Sequence, residues 1–181
     1  MSPPGLPDTP YTPCYCEENI WMLAEVFSRQ EPQRRTWAVF ISNARRTVAL
    51  WEQKLRERVV IWDYHVVLML EDVDGSWWIY DLDTRLPLPC PLDRYMRETF
   101  RNSDVPPEFH SRFRVIPSKQ YLDYFASDRS HMLRDNGEYA ERPPEYAAIR
   151  GRKAESRMNL ASFVSMEDGV GYGLGVVVDR V

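Results

Sequence analysis

With 181 residues and a mass of 21.4 kDa, the chain has the length of one domain and enough material for a hydrophobic core. Apolar residues make up 44% and charged residues 28%, and six Trp with ten Tyr exclude a disordered chain. A net charge of −4 and a pI near 5.5 offer nothing to nucleic acid or to an anionic membrane surface, and no apolar run approaches the roughly 20 residues that span a bilayer.

Residues 1–13 contain five prolines and read as a flexible leader, with residues 14–181 as a single domain. The leader lacks the basic start and apolar stretch of a signal peptide. Together with an odd count of cysteines (Cys14, Cys16 and Cys90), this predicts reduced thiols in a cytosolic setting. A zinc site needs a second ligand cluster at suitable spacing, and none appears, so no metal is expected. Ile20, Leu23, Ala24 and Phe27 follow helical spacing between Glu17 and Arg29, which places Cys16 at or just outside a helix N-terminus. Trp37 to Ser42 reads as a buried strand. The stretch from Arg45 to Arg58 is ambiguous between helix and strand. Val59 to Leu70 reads as one long strand, Asp72 to Gly75 as a turn and Trp77 to Leu82 as the returning strand. Leu92 to Arg101 is predicted helical and Phe113 to Ile116 extended. Ser118 is expected to cap a short helix through Phe125. The chain is irregular from Ser130 to Met158, and a Gly-rich turn from Gly169 to Gly175 leads into a last strand at Val176 to Val178. The order predicts an α+β fold with an antiparallel sheet.

A cysteine becomes a good nucleophile as the thiolate, which needs a positive environment or a base. The helix dipole at Cys16 is opposed by Glu17 and Glu18, so a histidine partner is required. His65 stands out because it interrupts an apolar strand, where a buried imidazole must be hydrogen-bonded. A hairpin with an odd-length loop centred on Val73 sets His65 opposite Asp81, with Cβ atoms about 4.5–5.5 Å apart. A two-residue Asp74-Gly75 turn would instead pair His65 with Thr84. The first register also opposes Asp63 to Asp83, which is costly for two carboxylates. The candidate constellation is therefore Cys16 as nucleophile, His65 as base and Asp81 as its orienter. The bland alternatives are an apolar filler, a satisfied core histidine and acids that close a strand.

Several segments resemble the protein N-terminal glutamine amidohydrolase family: Cys14-Tyr-Cys-Glu-Glu-Asn-Ile-Trp21, Val60-Ile-Trp-Asp-Tyr-His-Val-Val67, Ile79-Tyr-Asp-Leu-Asp-Thr84, Phe125-Ala-Ser-Asp-Arg-Ser-His-Met132 and Met158-Asn-Leu-Ala-Ser-Phe163. The resemblance covers nearly all of the chain after the leader. It implies a monomeric papain- or transglutaminase-like fold and deamidation of N-terminal Gln to Glu in the N-degron pathway. It also implies that Cys16, His65 and Asp81 form the catalytic triad of the domain at 14–181, without a cofactor. The implied partners are proteins or peptides with a free N-terminal Gln, in the cytoplasm and also the nucleus. Other readings to be separated from this one are a non-catalytic N-degron-binding module and a cysteine peptidase or transglutaminase acting on internal sites.

Recognition of a free α-ammonium requires an acid or backbone carbonyls. The candidates are Glu17, Glu18, Asp63, Asp83 and Asp128; for the first two the alternative is a solvated first helical turn, and for Asp128 a turn network. Arg45 and Arg46 are expected to face solvent, Cys14 and Cys90 to be structural, and Trp62 and Trp78 to wall the site. Two departures from the family pattern are the short segment Arg142 to Tyr146 and Gly171-Tyr-Gly173 in place of Gly-Trp-Gly.

Overall fold

Helical spacing puts Ile20, Leu23, Ala24 and Phe27 on one face of a helix, and all four are buried against a sheet. The computed structural model describes residues 3–167 and 174–181. Helix α1 spans Cys16–Gln30, and strands β1 (Arg35–Ser42), β2 (Val48–Leu50), β3 (Val60–Trp62), β4 (His65–Glu71), β5 (Trp77–Tyr80) and β6 (Cys90–Pro91) follow it. Then come α2 (Leu92–Thr99), β7 (Arg112–Pro117), α3 (Ser118–Tyr124), α4 (Leu160–Val164) and β8 (Val176–Val178). Six strands form one sheet in the order β6-β5-β4-β1-β7-β8, every pair antiparallel, and β2 and β3 form a separate two-stranded sheet. The fold is α+β, as expected.

The two-residue period of a strand divides the core into two layers. Ala38, Phe40, Val66, Leu68, Leu70 and Tyr80 face α1 and α3 with Phe125 and Phe163. Val39, Ile41, Val67, Met69 and Ile79 face the other way, toward Tyr95 of α2. Because β4 is covered on both faces, its sequence is a continuous apolar run. His65 starts this strand, paired with Ile41 of β1.

Four expectations are corrected. The single strand from Val59 to Leu70 is two strands in different sheets. The break falls at Asp63-Tyr64, where side chains replace ladder partners: Asp63 Oδ1 accepts the Tyr64 N–H at 2.9 Å, and Ser42 Oγ donates to the Asp63 carbonyl at 2.6 Å. The β4–β5 hairpin is centred on Asp74, not Val73, with Glu71 opposite Trp77 and Leu68 opposite Tyr80. A five-residue loop, closed by Asp72 N–H to the Ser76 carbonyl at 2.8 Å, sets this register, and Gly75 supplies the left-handed φ of +82°. The ladder stops at Tyr80, so neither the His65–Asp81 nor the Asp63–Asp83 cross-strand pair forms. Ser118 is the first residue of α3 rather than its cap; Pro117 occupies the cap position, and no side chain bonds there. Beyond Met158, where the irregular stretch is expected to end and no element is assigned, a short helix, α4, carries Leu160, Phe163 and Val164 into the core.

The ambiguous stretch after Arg45 contributes β2 and a bridge from Gln53 to Thr84. Gly175 has φ +71°, and a Cβ there would collide with the Val115 carbonyl, so glycine lets the chain lie on β7 before β8. The segment Gly171-Tyr-Gly173 lies outside the described residues. Residues 3–13 form no helix or strand but are bonded to the domain: Tyr80 donates to the Pro4 carbonyl at 2.6 Å, and Thr12 and Asn19 exchange two hydrogen bonds of 2.8 and 2.9 Å. Among the described residues no helix is long and apolar enough to cross a membrane.

Candidate active site

His65 and Asp81 meet although the ladder does not pair them. Past Tyr80 the chain leaves the sheet in a turn, with Thr84 N–H to the Asp81 carbonyl at 3.4 Å, and this swings the Asp81 carboxylate under the imidazole. His65 Nε2 lies 2.8 Å from Asp81 Oδ1, and both side chains are buried. A carboxylate can only accept, so Nε2 carries the proton and Nδ1 is left with a lone pair. Oδ1 also accepts the Asp83 N–H at 2.9 Å. Oδ2 accepts Tyr95 OH at 2.8 Å and Gln53 Nε2 at 3.1 Å. Burial pushes the Asp81 carboxyl up, but His65 and these donors outweigh it and hold the group below its ordinary value. Burial pushes the imidazole down, and Asp81 more than offsets it, so His65 sits above its ordinary 6.5. The Trp62 ring stacks on His65 at 5.8 Å and 16°.

Cys16 is the first residue of α1, half-buried, with Tyr15 at the cap position. Its sulfur receives the Val66 N–H, which ties it to the residue after His65. Burial, then the charges of Glu17 and Asp83, push the thiol well above its ordinary value; the Val66 N–H works in the opposite sense. Cys16 and His65 line one pocket of about 270 Å3 with Asp63, Asp83, Arg46, Trp62, Tyr64 and His131. Cys14, expected to be structural, is exposed and lies on the same pocket, whereas Cys90 is buried in β6.

The five acids proposed for the substrate amine fall into three environments. Asp63 and Asp83 line the pocket; Tyr11 OH donates to Asp83 at 2.5 Å. Glu17 and Glu18 are fully buried rather than solvated. Glu18 is gripped by the Arg129 guanidinium through bonds of 2.9 and 2.8 Å. Glu17 accepts Tyr64 OH at 2.9 Å on Oε2, and its Oε1 lies 3.3 Å from His131 Nε2. Asp128 is exposed, accepts the Ser130 N–H at 3.0 Å and does not line the pocket. Arg46 is exposed but lies on the pocket wall. Nδ1/Nε2 and carboxylate atoms of His65, Asp81 and Asp83 fall within 4.8 Å of one another, yet Asp81 already has four donors and Nε2 its partner, which leaves little for a cation.

Tyr95, Gln53, Tyr64 and Arg129 were not foreseen. Tyr95 and Gln53 reach Asp81 from distant segments, and no local pattern marks them. Arg129 had a signal: it lies in the dense polar run Ser127 to His131, directly after a core helix.

A family model described as N-terminal glutamine amidase matches residues 11–181. The chain is 48% identical to the protein N-terminal glutamine amidohydrolase of Bos taurus, over 90% of this chain and 80% of that protein. Identity to the protein of the same name from Homo sapiens is 47%, over 90% and 81%, and to that from Danio rerio 46%, over 90% and 82%. By this similarity over almost its whole length, the chain belongs to the N-terminal glutamine amidase family.

Proposed function

We propose that the chain hydrolyses the side-chain amide of an N-terminal glutamine, giving glutamate and ammonia, with Cys16 as nucleophile, His65 as base and Asp81 as orienter. The observation that carries this reading is a buried His65, fixed by Asp81, opening on the same pocket as the Cys16 thiol at the tip of α1. A nucleophile-bearing helix packed on an antiparallel sheet is the papain- and transglutaminase-like arrangement, and we assign the domain at 14–181 to it.

Burial and Glu17 keep the Cys16 thiol protonated, so sulfur attacks the carboxamide carbon as Nδ1 of His65 takes its proton. The resulting oxyanion needs donors; the Cys16 N–H, in the first turn of α1, is one with no partner inside the helix. The imidazolium, stabilised by Asp81, returns the proton to the leaving ammonia. Water then attacks the γ-thioester with His65 again as base. Trp62, stacked on His65, limits water around it. No step draws on a cofactor.

Asp63 and Asp83, the acids on the pocket wall, anchor the substrate α-ammonium. An N-terminal Asn then falls short of Cys16 by about 1.5 Å, one C–C bond. A misplacement of about 1 Å costs around 10²-fold in rate. Substrates are protein N-termini in the cytoplasm and nucleus, reached by a monomeric enzyme of the N-degron pathway. The test is ammonia release from peptides that differ only in the position of Gln. N-terminal Gln should react, whereas internal Gln, acetylated N-terminal Gln and N-terminal Asn should be slower by about 10²-fold or more. Equal rates on internal Gln would favour a transglutaminase-like enzyme, and binding without ammonia release a recognition module.

A further inference from the structure

Two acids follow the nucleophile, and both are buried where a helix would normally show them to solvent. Glu18 is accounted for by Arg129, which also donates to the Pro144 and Tyr146 carbonyls at 3.2 and 3.0 Å. Glu17 is different. Its Oε2 lies 3.7 Å from Cys16 Sγ, in geometry for the thiol to donate to it, and accepts Tyr64 OH at 2.9 Å. Its Oε1 is buried without a hydrogen bond among the described residues, with His131 Nε2 at 3.3 Å. Tyr121 OH donates to the Glu17 main-chain carbonyl at 2.7 Å, and Tyr64 OH holds the carboxylate itself. A carboxylate in this place opposes thiolate formation, the reverse of what a cysteine nucleophile requires.

We propose that Glu17 is a positioning residue that holds the Cys16 thiol protonated in the substrate-free site through an S–H···O bond, and that His131 and Tyr64 set the strength of that hold by drawing charge from the Glu17 carboxylate. The proposal rests on Cys16 being the nucleophile. Other groups act on the same two centres. Asp63 and Asp83 face Cys16 with the sign of Glu17, and Tyr121, His65 and Cys14 lie nearby. Tyr64 at 3.5 Å, the edge of Tyr15 at 6.5 Å and Asp128 surround His131. None of them bridges the thiol and His131 as Glu17 does. The consequence is a nucleophile that resists stray electrophiles in the empty pocket and is released by proton transfer to His65.

Alkylation by iodoacetamide at pH 7 in a Cys14→Ser background reads the Cys16 thiol directly, since Cys90 is buried. Glu17→Gln keeps the acceptor for Tyr64 and removes the charge. A thiol pKa lower by about one unit gives about tenfold more thiolate, each about threefold less nucleophilic, so alkylation should rise about threefold and its pH profile should move down. Tyr64→Phe removes the hydrogen-bond donor to Glu17 Oε2 and His131→Phe the imidazole facing Oε1, both at nearly constant volume, so alkylation should slow about threefold. Opposite signs for these two kinds of variant are what a loosened pocket cannot give, because loosening speeds all three. Equal signs, or rates within error of the parent, would overturn the proposal. If Glu17→Gln does not fold, the two phenylalanine variants decide: either one at or above the parent rate refutes it. The assay needs no substrate, so failure of the deamidation assay would leave this result standing and the reverse also holds.

Discussion

Replacing Asp81 by Asn separates the charge of the orienter from its shape. The carboxylate accepts four hydrogen bonds: His65 Nε2 at 2.8 Å and Asp83 N–H at 2.9 Å on Oδ1, Tyr95 OH at 2.8 Å and Gln53 Nε2 at 3.1 Å on Oδ2. An Asn oxygen can keep the first two. Its amide then faces Tyr95 and Gln53, where the tyrosine hydroxyl can rotate to accept and the Gln53 amide can flip, since Gln53 Oε1 has no partner among the described residues. The variant should therefore fold at a cost of about 1–3 kcal/mol. Catalysis should suffer more, because the imidazolium formed during attack loses its counter-charge. The same change in a serine-protease triad costs about 10⁴-fold, and a loss of at least about 10²-fold is expected here. The pH profile adds a sign. In the parent, His65 lies above 6.5 and must be neutral to act as base, so activity climbs through a pH above 6.5. Without the Asp81 charge, burial pushes the imidazole down against the smaller opposing pull of Asp83, so the climb should shift to lower pH. The assay is initial ammonia release from an N-terminal Gln peptide between pH 5 and 9, with thermal melting of both proteins. Asp81→Asn turnover within about threefold of the parent, with an unmoved acid limb, would refute the orienter assignment.

Arg129→Met should be among the most damaging changes outside the pocket, since it leaves Glu18 charged and buried without its cation. The cost of breaking such a pair is about 3–5 kcal/mol, a fall in Tm of roughly 10 °C for a chain of this length. The His65–Asp81 pair makes stability pH-dependent. Its His65 share is complete below the unfolded value of 6.5 and is lost as pH rises through the higher folded value. Its Asp81 share is complete above 3.8 and is lost as pH falls through the lower folded value. Melting curves of the parent and of His65→Gln should thus differ most between those two values and the gap should narrow, without closing, at alkaline pH; a constant gap would contradict the pairing.

The parts of this site that can be read from sequence are those that break a local pattern. His65 is visible because an imidazole interrupts an apolar run that is buried on both faces, and Cys16 because helical spacing begins one residue after it. Asp81 was assigned to the right partner through a register that does not exist. A hairpin turn centred one residue later moves the ladder, and a strand that ends at Tyr80 restores the contact by a turn. Side-chain parity survives a two-residue shift, so the face was legible while the pairing was not. The burial of Glu17 and Glu18 was illegible for a different reason: acids in a first helical turn are favourable to the dipole in solvent, and the residues that cover them, Tyr64, Tyr121 and the loop from Arg129 to His131, lie roughly 50 to 110 residues later. Tyr95 and Gln53 act across similar gaps, and one residue of each type carries no mark of its role.

The central claim is tested most directly by ammonia release from an N-terminal Gln peptide with the Cys16→Ser and Cys14→Ser chains side by side, both shown to melt like the parent. Both thiols line the pocket, so accessibility alone does not choose between them. Cys16→Ser should release no ammonia above the blank, and Cys14→Ser should keep most of the parent rate. Activity that survives in Cys16→Ser, or vanishes in Cys14→Ser alone, would contradict the account.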